Sequence, residues 1–179
     1  MVLVADDVQL VRAAQAGVGA AFEELVRRHE LRVYRVALRM LGSESDAEDA
    51  AQESFVQAWR ALSRFRGDSA FSTWLYRIVT NRCLAVLSSP ARQGEPLTGA
   101  EMDVRPGPEA VAVESDRFRA MKAAITELTP EQRAPFVLRE FEGLSYETIG
   151  EVLDLTPGAV KGRLHRARLE LVEEMRQWR

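Results

Sequence analysis

From Ser88 to Pro108 the chain carries Pro90, Pro96, Pro106 and Pro108 together with Gly94, Gly99 and Gly107. No helix interior or central strand tolerates that density, because each proline removes a backbone donor and each glycine is costly to order. A linker is expected over residues 89–108, with one lobe over 5–88 and a second over 109–179. Each is long enough to bury a core of its own. In both, apolar residues recur at threes and fours, and sustained two-residue alternation is absent. The expected fold is all-α: two small helical domains, a bundle followed by a helix-turn-helix, joined by a flexible linker.

In the first lobe Asp6 or Asp7 can cap a short helix ending near Gly17 and Gly19. A second helix from about Ala20 carries Phe22, Leu25, Val26, Val33, Val36, Ala37 and Met40 on one stripe and stops at Gly42. Ser45, Asp46, Ala47 and Glu48 read as a capping box that starts a third helix. Its apolar positions, Ala47, Ala51, Ser54, Phe55, Ala58 and Leu62, continue toward Gly67, and a fourth helix follows from about Phe71 to Leu87 with Leu75, Ile78, Val79 and Val86 inward. The second lobe opens near Glu109, with Phe118, Met121, Ile125 and Leu128 spaced as a helix stripe. Thr129, Pro130 and Gln132 supply an N-cap, an N1 proline and an N3 glutamine. Pro135 falls inside that helix. Ser145 caps a short helix, a tight turn spans Asp154 to Thr156, and a long helix opens with Pro157, which together make a helix-turn-helix.

Charge narrows the function. Across 179 residues, 24 Lys+Arg stand against 27 Asp+Glu, so the protein is no polybasic coat for nucleic acid. The charge is nonetheless sorted: Ser43 to Glu53 holds five acids and no base, Arg60 to Arg82 five arginines and one acid, and Lys161 to Arg168 four cations and no acid. One cysteine, Cys83, excludes an internal disulfide, and with only His29 and His165 there is no zinc ligand set, so neither metal nor other cofactor is expected. No stretch approaches a membrane span and the N-terminus lacks a basic leader, from which a soluble, unprocessed, cytoplasmic protein is expected.

On the last helix, Val160, Leu164, Ala167, Leu171, Met175 and Trp178 form the inward stripe at 100° per residue, which turns Gly162, His165 and Arg166 outward with Lys161, Arg163 and Arg168 on the flanks. Such a face suits phosphates and guanine edges in a major groove, and Thr156 at the N-cap leaves amides free for a phosphate. A solvated basic face is the plain alternative. On the third helix Asp46, Asp49, Gln52 and Glu53 lie opposite the apolar stripe, either as dipole-favoured acids or as a docking face for a basic partner. Between the third and fourth helices, Trp59, Phe65, Phe71, Trp74 and Tyr76, five of the chain's 13 aromatics, are interleaved with arginines. That combination stacks unpaired bases, and the loop Arg66, Gly67, Asp68, Ser69 beside it has room for a flipped base. Packing in a core is the alternative for Trp59 and Trp74.

The strings SDAEDAAQESFVQAWRALSRFRGDSAFSTWLYRIVTNRC and LTPEQRAPFVLREFEGLSYETIGEVLDLTPGAVKGRLHRAR resemble bacterial extracytoplasmic-function (group 4) sigma factors of the sigma-70 family, over nearly the whole chain and in the right order. The resemblance implies an alternative sigma factor for stress-type promoters: a sigma-2 domain that binds the β′ clamp helices of core RNA polymerase and melts the −10 element, and a sigma-4 domain that meets the β flap and reads the −35 element. It implies polymerase binding by Asp46, Asp49, Gln52 and Glu53. It implies −10 binding by Phe65, Arg66, Gly67, Asp68, Ser69, Phe71, Trp74, Tyr76, Arg77 and Asn81. It implies −35 binding by Thr156, Lys161, Gly162, Arg163, His165, Arg166 and Arg168. Partners on this reading are core polymerase, promoter DNA and an anti-sigma factor, without membrane contact. The chain departs from the family in ending its fourth helix with Leu84 to Ser89 where many members carry arginines, and in having Ala159 and Gly162 where hydroxyl residues are common. Extended at ~3.3 Å per residue, the linker reaches ~70 Å, enough for promoter elements ~50 Å apart at ~34 Å per helical turn. A polymerase-independent helix-turn-helix regulator is the rival; an enzyme built on Cys83, His29 and His165 lacks any motif around them.

Overall fold

The computed structural model describes residues 5–89 and 116–178. The first lobe is α1 (Asp7–Gln15), α2 (Gly19–Leu41), α3 (Glu44–Ala61), a 3-10 turn Leu62–Arg64 and α4 (Phe71–Leu87); the second is α5 (Asp116–Glu127), α6 (Pro130–Glu140), α7 (Tyr146–Leu153), α8 (Pro157–Glu174) and a 3-10 turn Met175–Trp178. There is no strand among the described residues. The expected linker lies outside them, as does the start of the second lobe near Glu109.

Local signals set most boundaries. Asp6 accepts from the Gln9 amide at 2.8 Å while the Gln9 side chain receives the Asp6 N–H at 3.1 Å, so α1 opens with a full capping box. Gly42 ends α2 with φ +69°, a left-handed cap that an L side chain resists. α3 corrects the expected start: its N-cap is Ser43, extended at φ −129°, whose Oγ accepts from the Asp46 amide, and Ser45 already lies in the first turn. The reason is the left-handed Gly42, which turns the chain so sharply that the next residue is free to cap. In α6 the Gln132 side chain accepts both the Thr129 N–H at 3.2 Å and its hydroxyl at 2.7 Å. Pro135 is accommodated inside α6: its ring is buried, and the bond its nitrogen forgoes belongs to the carbonyl of Glu131, an exposed residue in the first turn.

The inward stripes largely match expectation. Leu25, Val33, Val36, Ala37 and Met40 of α2, Ala47, Ala51, Ser54 and Ala58 of α3, Leu75, Ile78 and Val79 of α4, and Val160, Leu164, Ala167 and Leu171 of α8 are buried, each large aliphatic contributing on the order of 1.5–3 kcal/mol. Phe22, Val26, Phe55, Val86 and Met175 are only half-buried, and Met121 is 36% exposed. The Phe118 and Trp178 side chains lie outside what the structure describes. Between α7 and α8, Asp154 takes a left-handed conformation (φ 57°) and the Leu155 amide donates to Gly150 O at 2.9 Å. A Cβ on Gly150 would lie 2.5 Å from Leu155 O, so the tight turn requires glycine there.

The lobes do not stand apart. α4 packs on α6 and α7, and α2 packs on α5 and α6, so the buried residues of both lobes form one continuous cluster. Arg133 of α6, 2% exposed, donates to Met40 O at the end of α2 and to Thr126 O and Leu128 O at the end of α5. Its charge thereby meets the carbonyl-rich ends of two helices from different lobes. Beside it, a Cβ on Gly42 would stand 2.9 Å from Thr126 Cγ2. A few residues away Glu142 accepts the Tyr76 hydroxyl at 2.7 Å and faces Arg39 at 3.7 Å, and the Arg39 guanidinium lies over the Phe141 ring at 4.2 Å.

Candidate functional site

Three outward sets of residues carry chemistry. The first is the solvent side of α3. Asp49, Gln52 and Glu53 are exposed and Asp46 is half-buried, at the three- and four-residue spacing that makes one ridge. Four of the five acids counted between Ser43 and Glu53 lie within α3's first two turns, and Glu44 and Asp46 stand in the first, where the helix dipole favours them. The ridge continues into Val56, 48% exposed, an apolar residue on the polar face that lies outside the inward stripe of α3. Trp59, 47% exposed, leans on Phe22 with ring centroids 4.9 Å apart. An acidic ridge with an apolar end is suited to a basic partner that also buries area.

The second set begins where α3 unwinds. Gln15 of α1 donates its side-chain amide to Leu62 O at 2.9 Å and Phe65 O at 2.8 Å, pinning the start of the loop. Nothing in the sequence signals this role, since a glutamine on a short helix carries no trace of a partner 47 residues away. Past Phe65 the chain turns at Gly67 (φ +77°), and Arg66 pairs with Asp68 at 2.6 Å, both exposed and so only weakly held. Phe65, Phe71 and Trp74 form a ring cluster, with centroids 4.8 Å apart for Phe65 and Trp74 and 5.7 Å for Phe71 and Trp74. Phe71 is buried and supports the other two from beneath, edge-on to His29, whose Nε2 is 2.7 Å from Asp7 Oδ2. Phe65 and Trp74 are half-exposed, so they offer ring faces on which an unpaired base can stack. Arg77 and Asn81 are exposed on the same helix, and Ser69 is half-buried in the loop. Tyr76 is turned away from them, 5% exposed at the contact between lobes. Burial, with the Glu142 carboxylate accepting its hydroxyl, pushes its pKa well above the ordinary phenol range. Arg82 reaches Glu53 at 2.5 Å and so joins the α4 helix to the acidic ridge.

The third set is the outer face of α8. Thr156 Oγ1 accepts from the Ala159 amide at 3.2 Å and Pro157 opens the helix. Lys161, His165 and Arg166 are exposed, and Gly162 has nothing nearer its missing Cβ than Arg166 Nη1 at 3.8 Å. Arg163 and Arg168 differ. Arg163 is half-buried beside Leu84, Leu87, Ala134 and Leu153 in a cleft of about 360 Å³. Arg168 pairs with Glu140 at 2.5 Å, a partner that holds its guanidinium more firmly protonated than usual. The exposed core of this set is thus Lys161, His165 and Arg166, with the N-terminal amides of α8 behind them.

Cys83 is buried in α4 and His29 is engaged by Asp7, so neither stands beside His165 in a nucleophilic arrangement. No group of histidine, cysteine and acidic residues suited to a metal ion occurs among the described residues, and no helix among them is long and apolar enough to cross a membrane.

Comparison with known proteins adds an independent frame. Residues 25–92 match the family model Sigma-70 region 2, and residues 118–171 match Sigma-70, region 4. The chain is 36% identical over 173 residues to the RNA polymerase sigma-H factor of Pseudomonas aeruginosa, covering 90% of each. It is 35% identical to the ECF RNA polymerase sigma-E factor of Escherichia coli K12 over the same length and shares. Among solved structures it is similar to CnrH, described in complex with the cytosolic domain of CnrY (TM-score 0.69, 29% identity, 94% of this chain and 95% of that one). The fold is also that of the sigma factor RpoE of Bartonella quintana, solved with the anti-sigma factor NepR (TM-score 0.68, 23% identity, 86% of this chain and 96% of that one).

Proposed function

The chain belongs to the extracytoplasmic-function group of the sigma-70 family, transcription initiation factors rather than enzymes, and from that premise we propose how its surfaces divide the work. It is an alternative sigma factor that binds core RNA polymerase and promoter DNA. The ridge Asp46, Asp49, Gln52 and Glu53, with Val56 at its end, meets the β′ clamp helices. The loop Phe65 to Ser69 and the rings of Phe65 and Trp74 take up an extruded −10 base, with Arg77 and Asn81 along the strand and Phe71 as support. The α8 face, chiefly Lys161, His165 and Arg166 with Thr156 at its head, reads the −35 duplex while the second lobe rests on the β flap. Tyr76, Arg163 and Arg168 join these surfaces only when their present contacts are released. The factor acts in the cytoplasm, and an anti-sigma factor is its natural restraint, as NepR is the anti-sigma factor with which RpoE of Bartonella quintana was solved.

One observation favours this over an operator-binding regulator: the half-exposed Phe65 and Trp74 ring pair at the head of α4 has no use on intact duplex. Transcription by core polymerase plus this protein on a promoter library tests the reading. Start sites confined to a shared −35 and −10 pair are expected; absence of polymerase binding and of start-site selection would overturn it.

A further inference from the structure

Between the end of α3 and the start of α4, residues 66–70 form neither helix nor strand, and little inside that stretch ties it down. Gly67 brings no side chain, the Arg66 and Asp68 pair is exposed, and Ser69 Oγ reaches Ala70 O only at 3.5 Å. The rings of Phe65 and Trp74 nevertheless stand 4.8 Å apart at 34°, a geometry that decides what platform an unpaired base meets. What fixes them lies outside the loop, and two routes lead to α1. At its C-terminal end Gln15 uses both hydrogens of its side-chain amide, one on Leu62 O at 2.9 Å and one on Phe65 O at 2.8 Å. Leu62 O also receives the Phe65 N–H at 3.0 Å, so Gln15 clamps that turn at both its carbonyls. At the N-terminal end, Asp7 Oδ2 accepts from His29 Nε2 at 2.7 Å, and the His29 ring sets its edge against Phe71 with centroids 5.4 Å apart. Phe71 in turn stands 6.1 Å from Phe65 and 5.7 Å from Trp74.

A mount must itself be firm, and α1 is. It opens with a full capping box, and Leu10, Val11 and Ala14 are buried against the bundle. From Asp7 to Gln15 it spans about 12 Å at 1.5 Å per residue, so its two ends can hold two separate points of the loop. His29, 7% exposed, is the less expected member. A leucine or phenylalanine would fill its place at lower cost, whereas a histidine brings an N–H that must be satisfied and whose bond fixes the plane of the ring. Arg28 holds the other oxygen of Asp7 at 3.3 Å and is itself held by Glu24 at 2.7 Å, which keeps the carboxylate pointed at the imidazole. We infer that Gln15 and the Asp7–His29 pair are positioning residues for the −10 base site. Gln15 sets the backbone of Phe65, and His29, oriented by Asp7, sets the Phe71 ring on which Phe65 and Trp74 lean. This rests on the reading of Phe65 and Trp74 as that site. None of the three needs to touch DNA, because each acts through an aromatic residue of the cluster.

The test uses holoenzyme assembled from core polymerase and the full chain. Fork DNA, duplex at −35 and single-stranded at −10, carries 2-aminopurine in place of each −10 base in turn, so that its fluorescence reports where that base stacks. A duplex ending before −10 is the control. Gln15→Met, similar in length but without a donor, should weaken fork binding about three- to tenfold, the range to which one or two hydrogen bonds of ordinary net strength convert. It should also change the 2-aminopurine signal, while affinity for the −35 duplex and for core polymerase stays as in the wild type. Asp7→Ala should do the same, and Asp7→Asn, which keeps an oxygen facing His29, should retain most of the binding. Asp7→Asn as weak as Asp7→Ala would overturn the bond to His29 as the route. Gln15 is exposed, so its substitution spares the core and carries the test even where an Asp7 variant fails to fold. Wild-type fork binding and signal in Gln15→Met, or in a folded Asp7→Ala, would overturn that residue's role. Equal losses on fork and −35 duplex, which a merely structural role produces, would overturn the proposal as a whole. A wild-type holoenzyme whose 2-aminopurine signal never changes would overturn the reading of the rings and the mount with it, whereas a normal wild type with indifferent variants sinks the mount alone.

Discussion

At the scale of single residues, two positions have consequences that follow from geometry alone. Tyr76 favours the neutral phenol in the folded state, so its contribution to stability is complete below the ordinary phenol pKa of 10 and is lost as pH rises beyond it. Titrating the phenolate absorbance should therefore show Tyr76 ionising well above the ordinary phenol range. Glu142→Gln should bring it partway down, since burial remains. Ionisation of Tyr76 within the ordinary phenol range would contradict the contact. Gly150 answers to space instead: Gly150→Ala forces the Leu155 carbonyl to move and should cost about 1–3 kcal/mol in urea unfolding. A neutral substitution there would mean the turn relaxes freely. Neither effect was legible in the sequence, because a tyrosine's partner across a domain contact and a carbonyl's approach to a glycine leave no periodic trace.

At the scale of helices, much was legible. Stripes at threes and fours identified the inward faces of α2, α3, α4 and α8, and the capping chemistry of Asp6, Thr129, Ser145 and Thr156 marked starts that the backbone respects. The start of α3 was misplaced since Ser43 and Ser45 are both competent caps, and only the left-handed Gly42 chooses between them. Outward faces follow from inward ones, which is why the ridge of α3 and the outer face of α8 were found while Val56 was not. Replacing Asp49 and Glu53 together with arginine should abolish binding to core polymerase in a pull-down or fluorescence assay with the circular dichroism unchanged, because both side chains are exposed and the Glu53–Arg82 pair that is lost is a weak surface one. Retained binding would return the ridge to plain solvation. Arg166→Ala should lower discrimination between −35 sequences by on the order of 1–3 kcal/mol in competition binding by the holoenzyme. Equal weakening on all sequences would instead identify a phosphate contact.

At the scale of the whole molecule, prolines and glycines lead the sequence reading to two lobes, but the contact between the two sets of helices leaves no such trace: periodicity says which face is apolar, never which neighbour covers it. That contact, held by Arg133 at the ends of α2 and α5 and by Glu142 against Arg39 and Tyr76, sorts the surfaces into two classes. The α3 ridge and the outer face of α8 lie open while the lobes are together, whereas Tyr76 and the buried part of Arg163 do not. The order of events in time is thereby built into the fold. Capture by polymerase needs no prior rearrangement, so its observed rate should rise in proportion to polymerase concentration in stopped-flow mixing. Exposure of Tyr76 is a separate, unimolecular event and should appear as a second phase whose rate is indifferent to that concentration.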